Sequence, residues 1–291
     1  MLKVGFIGTG TVGSAIAMLL HKKGYSITGV CSKSGNSSLV LSEQLGCNNY
    51  DLPWEVLPDA GVVFLTVPDR EISGLAQCLA ESGAVSGEHV FLHMSGAMPA
   101  EVLQQLKEKG AAIGSIHPLQ SFATVEKAME NLHGSFFAVQ GDEKAVAFSM
   151  KLVSDLNGKM FKIDSNAKAL YHLGASVASN YLVALVHFAV NMYKNIGMSS
   201  GEAVEALMPL IKGTVANIES VGPVEALTGP VARGDIETIR HHLSAIDGLN
   251  NDLQQFYCIL GMYTIQVALE KGSIDSITAG QLFSTFRRGE E

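Results

Sequence analysis

The stretch Lys3-Val4-Gly5-Phe6-Ile7-Gly8-Thr9-Gly10-Thr11-Val12-Gly13-Ser14-Ala15-Ile16 decides the fold. The apolar run Val4 to Ile7 ends in glycines, and helical periodicity follows from Ser14 to Lys22. A strand, a Gly-x-Gly-x-x-Gly turn and a helix in that order form a dinucleotide cradle. Gly8 permits the tight turn, Gly10 lets the backbone approach a pyrophosphate, and Gly13 lets helix and strand pack closely. The helix start offers free N–H groups and a positive dipole to the anion. The segment Gly8, Thr9, Gly10, Thr11, Val12 and Gly13 is therefore the first candidate binding site.

Downstream, apolar runs and helical patterns alternate. Runs at 27–30, 62–67, 90–92 and 112–116 are separated by helical patterns near 39–45, 71–79 and 100–107. Near-continuous apolar strands in a βα rhythm imply a mainly parallel, doubly wound sheet with both faces covered. Two further strands, at 136–139 and 159–163, flank a helix at 143–156. After Asp164 the strand patterns stop. Ser165 is placed to cap a long helix reaching Ile196, and Ser199 or Ser200 to cap another reaching about Glu219. A loop over 223–234 leads to helices at 236–246, 249–271 and 277–286. The expected architecture is an α/β Rossmann domain over 1–165 followed by an all-α domain over 166–291.

Composition bounds the function. The chain has 291 residues, 47% of them apolar and 16% charged, which disfavours long disorder. A net charge of −8 disfavours nucleic acid as a partner. Cys31, Cys47, Cys78 and Cys258 are scattered without metal-ligand spacing, so no metal is expected and free thiols in a reducing, cytoplasmic setting are. No leader pattern precedes the first strand. The most apolar helical run, 181–190, falls short of the ~20 residues of a membrane span. No membrane role is therefore expected. Because that run is apolar nearly all round, it suggests a homodimer through the helical domain.

The end of the second strand reads Cys31-Ser32-Lys33-Ser34. A carboxylate there would hold the ribose 2′-hydroxyl of NAD. Two hydroxyls and an ammonium suit a 2′-phosphate instead, so Ser32, Lys33 and Ser34 favour NADP(H). Ligands of open parallel sheets sit beyond the C-terminal strand ends. Three segments end strands there. Val67, Pro68 and Asp69 end one, and Ser95 and Gly96 lie just past His93 at the end of the next. His117 to Ser121 ends the third. His117 is read as a proton donor, because imidazole titrates near neutral pH. His93 is read as structural. On the helix after Asn166, His172, Ser176 and Asn180 at i, i+4 and i+8 share one face.

The motifs GTGTVG, LTVPD, HMSGA, IHPLQSF, YH…SN and LTGPVARGD, in this order, closely resemble a family assigned as NADP oxidoreductases, over essentially the whole chain. Members of that family pair a Rossmann domain with a helical domain of undefined function. The architecture is also similar to pyrroline-5-carboxylate reductase, 6-phosphogluconate dehydrogenase and ketopantoate reductase. The resemblance implies an NADPH-dependent reductase of a small carboxylate-bearing carbonyl compound, with a 2-keto acid such as ketopantoate first and a cyclic imine acid second. It also implies Thr228 and Arg233 as substrate contacts, with Arg233 clamping a carboxylate. Ketopantoate reductases carry a lysine and two asparagines at the i, i+4, i+8 positions, and of these only Asn180 matches here. His117 or His172 is then expected to supply the proton, with Asn180 and Ser121 orienting the reacting group. The absent lysine leaves a rival reading, a protein that binds NADP(H) as a redox sensor without turnover.

Overall fold

The computed structural model describes residues 2–249 and 251–288. It divides into two compact units, Met1–Tyr181 and Leu182–Glu291. The first unit carries strands β1 (Lys3–Ile7), β2 (Ser26–Cys31), β3 (Asn48–Tyr50), β4 (Val62–Leu65), β5 (Val90–His93), β6 (Ala112–Pro118), β7 (Phe136–Gly141) and β8 (Lys159–Lys162). Its helices are α1 (Thr11–Lys22), α2 (Asn36–Leu45), α3 (Asp69–Glu81), α4 (Gln104–Lys107), α5 (Val125–Leu132), α6 (Glu143–Asp155) and α7 (Lys168–Ser176).

The strands form one sheet in the order β3-β2-β1-β4-β5-β6-β7-β8. Pairing is parallel throughout except between β6 and β7. The strand order reverses direction at β1, which places a topological switch point beside the Gly8–Gly13 loop. Successive side chains along each strand point to opposite faces. Phe6, Phe64 and Leu92 pack into one layer with α1, α5 and α6, while Ile7, Leu65 and Phe91 pack into the other with α3 and α4. Phe6 and Phe64 stack at 4.9 Å between ring centres. Each fully buried ring of this kind stabilises the sheet by about 1.5–3 kcal/mol.

The sequence alone leads to no expected element at 48–50 or at 125–132. The edge strand β3 is Asn48-Asn49-Tyr50 and pairs only with β2. The amphipathic helix α5 is started by Thr124, whose side chain accepts from the Lys127 N–H.

The helix expected from Ser165 to Ile196 is not one α-helix. A 3-10 turn (Ser165–Ala167) leads into α7, a π turn follows at Val177–Tyr181, and α8 (Leu182–Asn195) belongs to the second unit. Ser165 does not cap it. Its hydroxyl donates to Glu101 Oε1 at 2.8 Å and accepts from Gln140 Nε2. The contact division also falls later than residue 165, because α7 is bonded to the ends of β5 and β6. The helical stretch Ser165–Asn195 is, by length and composition alone, long and apolar enough to cross a membrane, with a mean hydropathy of 1.6. The apolar run 181–190, too short by itself for a span, is the C-terminal part of this stretch. Leu170, Leu173 and Val183 on it are exposed.

The second unit holds α8, α9 (Ser200–Glu225), α10 (Ile236–Ile246), α11 (Asn251–Glu270) and α12 (Ser276–Arg288). Ser199 and Glu202 form a reciprocal capping box at the start of α9. α9 runs past the expected stop, with a kink at Gly222 (φ 82°) that lets Pro223 start a last turn. Gly261 makes room for the Phe286 ring, since a Cβ there would lie 2.3 Å from it.

Candidate active site at the ends of β5 and β6

The chain after β5 turns sharply through Met94–Pro99, and His93 organises that turn. His93 is fully buried. Its Nδ1 accepts from the Ser95 N–H at 3.2 Å and its Nε2 lies 3.2 Å from the Pro99 carbonyl. Burial, reinforced by the Lys168 charge, holds His93 down to about 4, so it is a neutral crosslink. Ser95 Oγ donates to Asp69 Oδ2 at 2.6 Å and accepts from the Ala97 and Met98 N–H groups. Its hydroxyl is thus committed to the turn.

Lys168, the first residue of α7, is 1% exposed. Its ammonium donates to the Ser95 carbonyl at 2.8 Å and to Ser115 Oγ of β6 at 2.6 Å. An ammonium has three donors, so one N–H has no acceptor among the described residues. Burial lowers Lys168 to about 8, and Asp69 opposes that shift. A charged side chain is almost never fully buried without partners. Sequence reasoning missed this lysine, which it sought further along the helix.

One turn on, Tyr171 and His172 face β6. Tyr171 Oη lies 2.7 Å from His117 Nδ1. The His117 and His172 rings meet edge to face at 6.0 Å. Both approach Gly96. A Cβ on Gly96 would come within 2.6 Å of His172 Nδ1 and 2.8 Å of His117 Nε2, so any larger residue would have to push the two rings aside. His172 Nδ1 is buried without a hydrogen-bond partner, and His117 Nε2 has no partner among the described residues. Three polar groups without a full set of partners therefore gather at Gly96, where a substrate oxygen could complete them.

His117 does not fit the role of acid near neutral pH. Burial first, then the Lys168 charge and His172, push it down to about 4, so its ring is neutral at pH 7. Ser121 is exposed on its loop; its N–H donates to Gln120 Oε1 and its carbonyl accepts from Asn131. Ser176 is half-buried and Asn180 exposed within the π turn. The wider π turn changes the angular step per residue, so Asn180 does not continue the face of His172 in α-helical register. Thr228 and Arg233 belong to the second unit. Arg233 lies 3.9 Å from Asp235, which caps α10 through the Thr238 N–H.

At the other candidate site, Gly8 adopts φ +102° and its carbonyl accepts from Thr66 Oγ1 at 2.5 Å. Around Gly10 a Cβ would meet nothing within 4 Å, whereas at Gly13 it would lie 2.5 Å from the Gly8 carbonyl oxygen. The loop is thus closed against the protein at Gly8 and Gly13 and open at Gly10, as a pyrophosphate cradle requires. Thr11 and Val12 begin α1, whose first turn holds no acidic residue. Val67 is half-buried, and Pro68 and Asp69 are exposed at the start of α3. After β2, Ser32 Oγ contacts Ser37 Oγ and Ser38 Oγ, each at 3.1 Å, and Ser37 Oγ lies 2.7 Å from Thr9 Oγ1. Lys33 and Ser34 are exposed. Sequence reasoning missed Ser37, although the run of serines between 32 and 38 was its signal. Among the described residues no cluster suited to a metal ion occurs, and no disulfide joins the cysteines.

Sheet order, glycine cradle and helical second half define the class: a Rossmann-like domain followed by a helical domain. Residues 1–118 match the Rossmann-like domain family and residues 135–264 a domain of unknown function, DUF2520. Among solved structures, the chain is similar to the "putative NADP oxidoreductase BF3122" of Bacteroides fragilis, with TM-score 0.76 and 22% identity over 91% of this chain and 98% of that one. It is similar to protein TM1727 of Thermotoga maritima, with TM-score 0.66 and 28% identity over 99% and 98%. It also shares the fold of the 1-pyrroline-5-carboxylate reductase of Streptococcus pyogenes, with TM-score 0.59 and 16% identity over 99% and 98%. None of the curated proteins matches the chain.

Proposed function

We propose that this chain reduces the carbonyl group of a small carboxylate-bearing molecule, a 2-keto acid such as ketopantoate first, with NADPH as the reductant. The observation that carries this reading is the buried Lys168 ammonium beside two imidazole nitrogens that lack partners, at the strand ends above Gly96. The Gly8–Gly13 loop, Ser32, Lys33 and Ser37 would hold the dinucleotide. When bound, the nicotinamide supplies a hydride to the carbonyl carbon. The carbonyl oxygen gains negative charge as that carbon–oxygen double bond becomes single. Lys168 stabilises the charge and passes one proton to the oxygen, leaving its amine neutral. His117 and His172 frame the same oxygen.

An oxygen-centred acceptor is favoured over the imine reduced by the pyrroline-5-carboxylate reductases. An imine accepts hydride best as a cationic iminium. Two like charges about 4 Å apart repel by roughly 4 kcal/mol at an effective dielectric of 20. A buried ammonium thus favours a developing alkoxide and opposes an iminium. The direct test is NADPH oxidation against a panel of 2-keto acids and cyclic imine acids. Turnover of keto acids but not imines supports the reading. Turnover of imines alone overturns the oxygen-centred choice, and no turnover with any member favours the redox-sensor alternative.

The cofactor preference has its own test. Calorimetric titration should find NADP(H) binding tighter than NAD(H). Lys33→Ala and Ser37→Ala should each weaken NADP(H) about 10- to 150-fold, the loss of one hydrogen bond to a charged group, and leave NAD(H) nearly unchanged. Equal or tighter binding of NADH would sink this preference.

A second copy of the chain is proposed to cover the exposed apolar residues of the 165–195 stretch. Lys168 lies within that stretch and is bonded to the sheet, which disfavours lipid as the covering medium. Light scattering at micromolar concentration should give the mass of a dimer, and a monomer mass counts against it.

A further inference from the structure

His117 and Tyr171 make a hydrogen bond whose direction matters, and the surrounding chemistry determines it. Tyr171 Oη has a single partner among the described residues, His117 Nδ1 at 2.7 Å. The ring of Tyr171 is braced edge to face by Phe161 of β8 at 5.7 Å and packs on the His117 ring at 5.5 Å. Either direction leaves one hydrogen without an acceptor among the described residues, the phenol's or the one on Nε2. The stronger bond decides: a phenol is the better donor and an imidazole nitrogen the better acceptor, so O–H donates to Nδ1 and the imidazole hydrogen sits on Nε2. His117 Nε2, unlike His172 Nδ1, is not among the fully buried unpartnered atoms, so its hydrogen can meet a ligand or water. Burial raises Tyr171 to about 12, so the phenol keeps its proton and remains a donor at every pH of interest. The neutral state of His117 is favoured by its surroundings as well: Lys168 and His172 both face it and oppose a second proton.

We infer that Tyr171 is a positioning residue that fixes His117 as the Nε2–H tautomer, aiming a neutral hydrogen-bond donor at the space beside Gly96. The role of this donor in turnover rests on the reductase reading above; the tautomer itself does not. The division of labour follows from the neighbours. Lys168 carries the mobile proton, while His117 holds the reacting oxygen with an N–H that does not titrate near neutrality. The opposite tautomer would turn a lone pair toward that oxygen and repel it. Asp69, the carboxylate on this side of the sheet, is engaged with Ser95 and does not reach His117 by any hydrogen bond among the described residues.

Proton–nitrogen correlation spectra of the histidine-labelled protein at pH 7 test the inference without any substrate. His117→Gln identifies the His117 signals by their loss. The wild-type ring should appear as the Nε2–H form alone. Tyr171→Phe keeps the ring that packs on Phe161 but removes the donor, and the Nδ1–H form of His117 should then become detectable. A predominant Nδ1–H form in the wild type, or an unchanged tautomer ratio in Tyr171→Phe, overturns the inference. Should Tyr171→Phe fail to fold, the wild-type spectrum alone still decides. With a turned-over carbonyl in hand, Tyr171→Phe should lower kcat roughly tenfold with the KM for NADPH unchanged, the scale of one hydrogen bond. That loss should vanish in a His117→Gln background, because a purely structural tyrosine would cost the same in both. Failure to find any turnover would count against the reductase reading and leave the tautomer result standing.

Discussion

Replacing Lys168 by methionine should lower kcat for carbonyl reduction by about 10²–10⁴ while NADPH affinity changes little, the range typical of a lost proton donor. Methionine keeps the length and apolar stem of the side chain, so the cavity stays filled. What disappears is the charge and its hydrogen bonds to the Ser95 carbonyl and Ser115 Oγ. Stability should move far less than activity. Losing the donors leaves Ser115 Oγ without its donor, at about 1–3 kcal/mol, while the Ser95 carbonyl keeps the Ser115 hydroxyl at 3.5 Å. Removing a desolvated charge offsets this. The ordinary lysine value is 10.5 and burial lowers Lys168 to about 8, a difference of about 3 kcal/mol between its two protonation states. Steady-state kinetics with calorimetric binding would check the claim. A variant with near-normal kcat refutes Lys168 as the donor.

The same lysine sets a pH profile. The reductive kcat should be sustained below about pH 8 and fall above it, as the ammonium is lost. His93 and His117, held near 4, contribute no limb around neutrality, and Asp69 only moderates the lysine. Stability follows the opposite course. Because the folded pKa lies below the unfolded one, the unfolded chain binds more protons between about pH 8 and 10.5, and stability from this group rises across that window. Lys168→Met should remove both dependences. A kcat profile centred near pH 6.5 in place of 8 would return the acid role to a histidine.

Gly8→Ala should destabilise the first unit by roughly 2–6 kcal/mol, the sum of backbone strain and overpacking. The backbone at Gly8 lies at φ +102°, where a side chain is strained. A Cβ would also fall 2.6 Å from both the carbon and the oxygen of the Thr66 carbonyl, which are backbone atoms and cannot swing aside. Gly10→Ala makes the contrast. Its Cβ meets nothing within 4 Å, so the fold should be kept while dinucleotide affinity falls, since the added methyl occupies the face left open for the ligand. Urea unfolding and calorimetry on the two variants would separate these effects. Similar loss of stability in both would mean that the loop is not closed at Gly8 and open at Gly10.

Local chemistry made much of the first unit legible in the sequence. A run such as Val4 to Ile7 followed by three glycines and a helical period reports backbone conformation directly, because periodicity and turn glycines act over a few residues. The order of apolar strands and helices carried the parallel sheet for the same reason. β3 was not legible, since an edge strand that reads Asn48-Asn49-Tyr50 is held by pairing to β2 and not by its own side chains. The π turn at Val177–Tyr181 was not legible either, because it is a shift of hydrogen-bond register that leaves composition unchanged. The arrangement at Gly96 belongs wholly to the tertiary structure. In the sequence Lys168 is one lysine among many at a helix start, where exposure is the ordinary outcome. It becomes a buried cation only because Ser95 and Ser115, which lie 73 and 53 residues away along the chain, arrive at its ammonium. The same meeting of α7 with β5 and β6 lowers His117 to about 4 and Lys168 to about 8. Desolvation and the field of a neighbouring charge are properties of three-dimensional placement, and no local pattern encodes them.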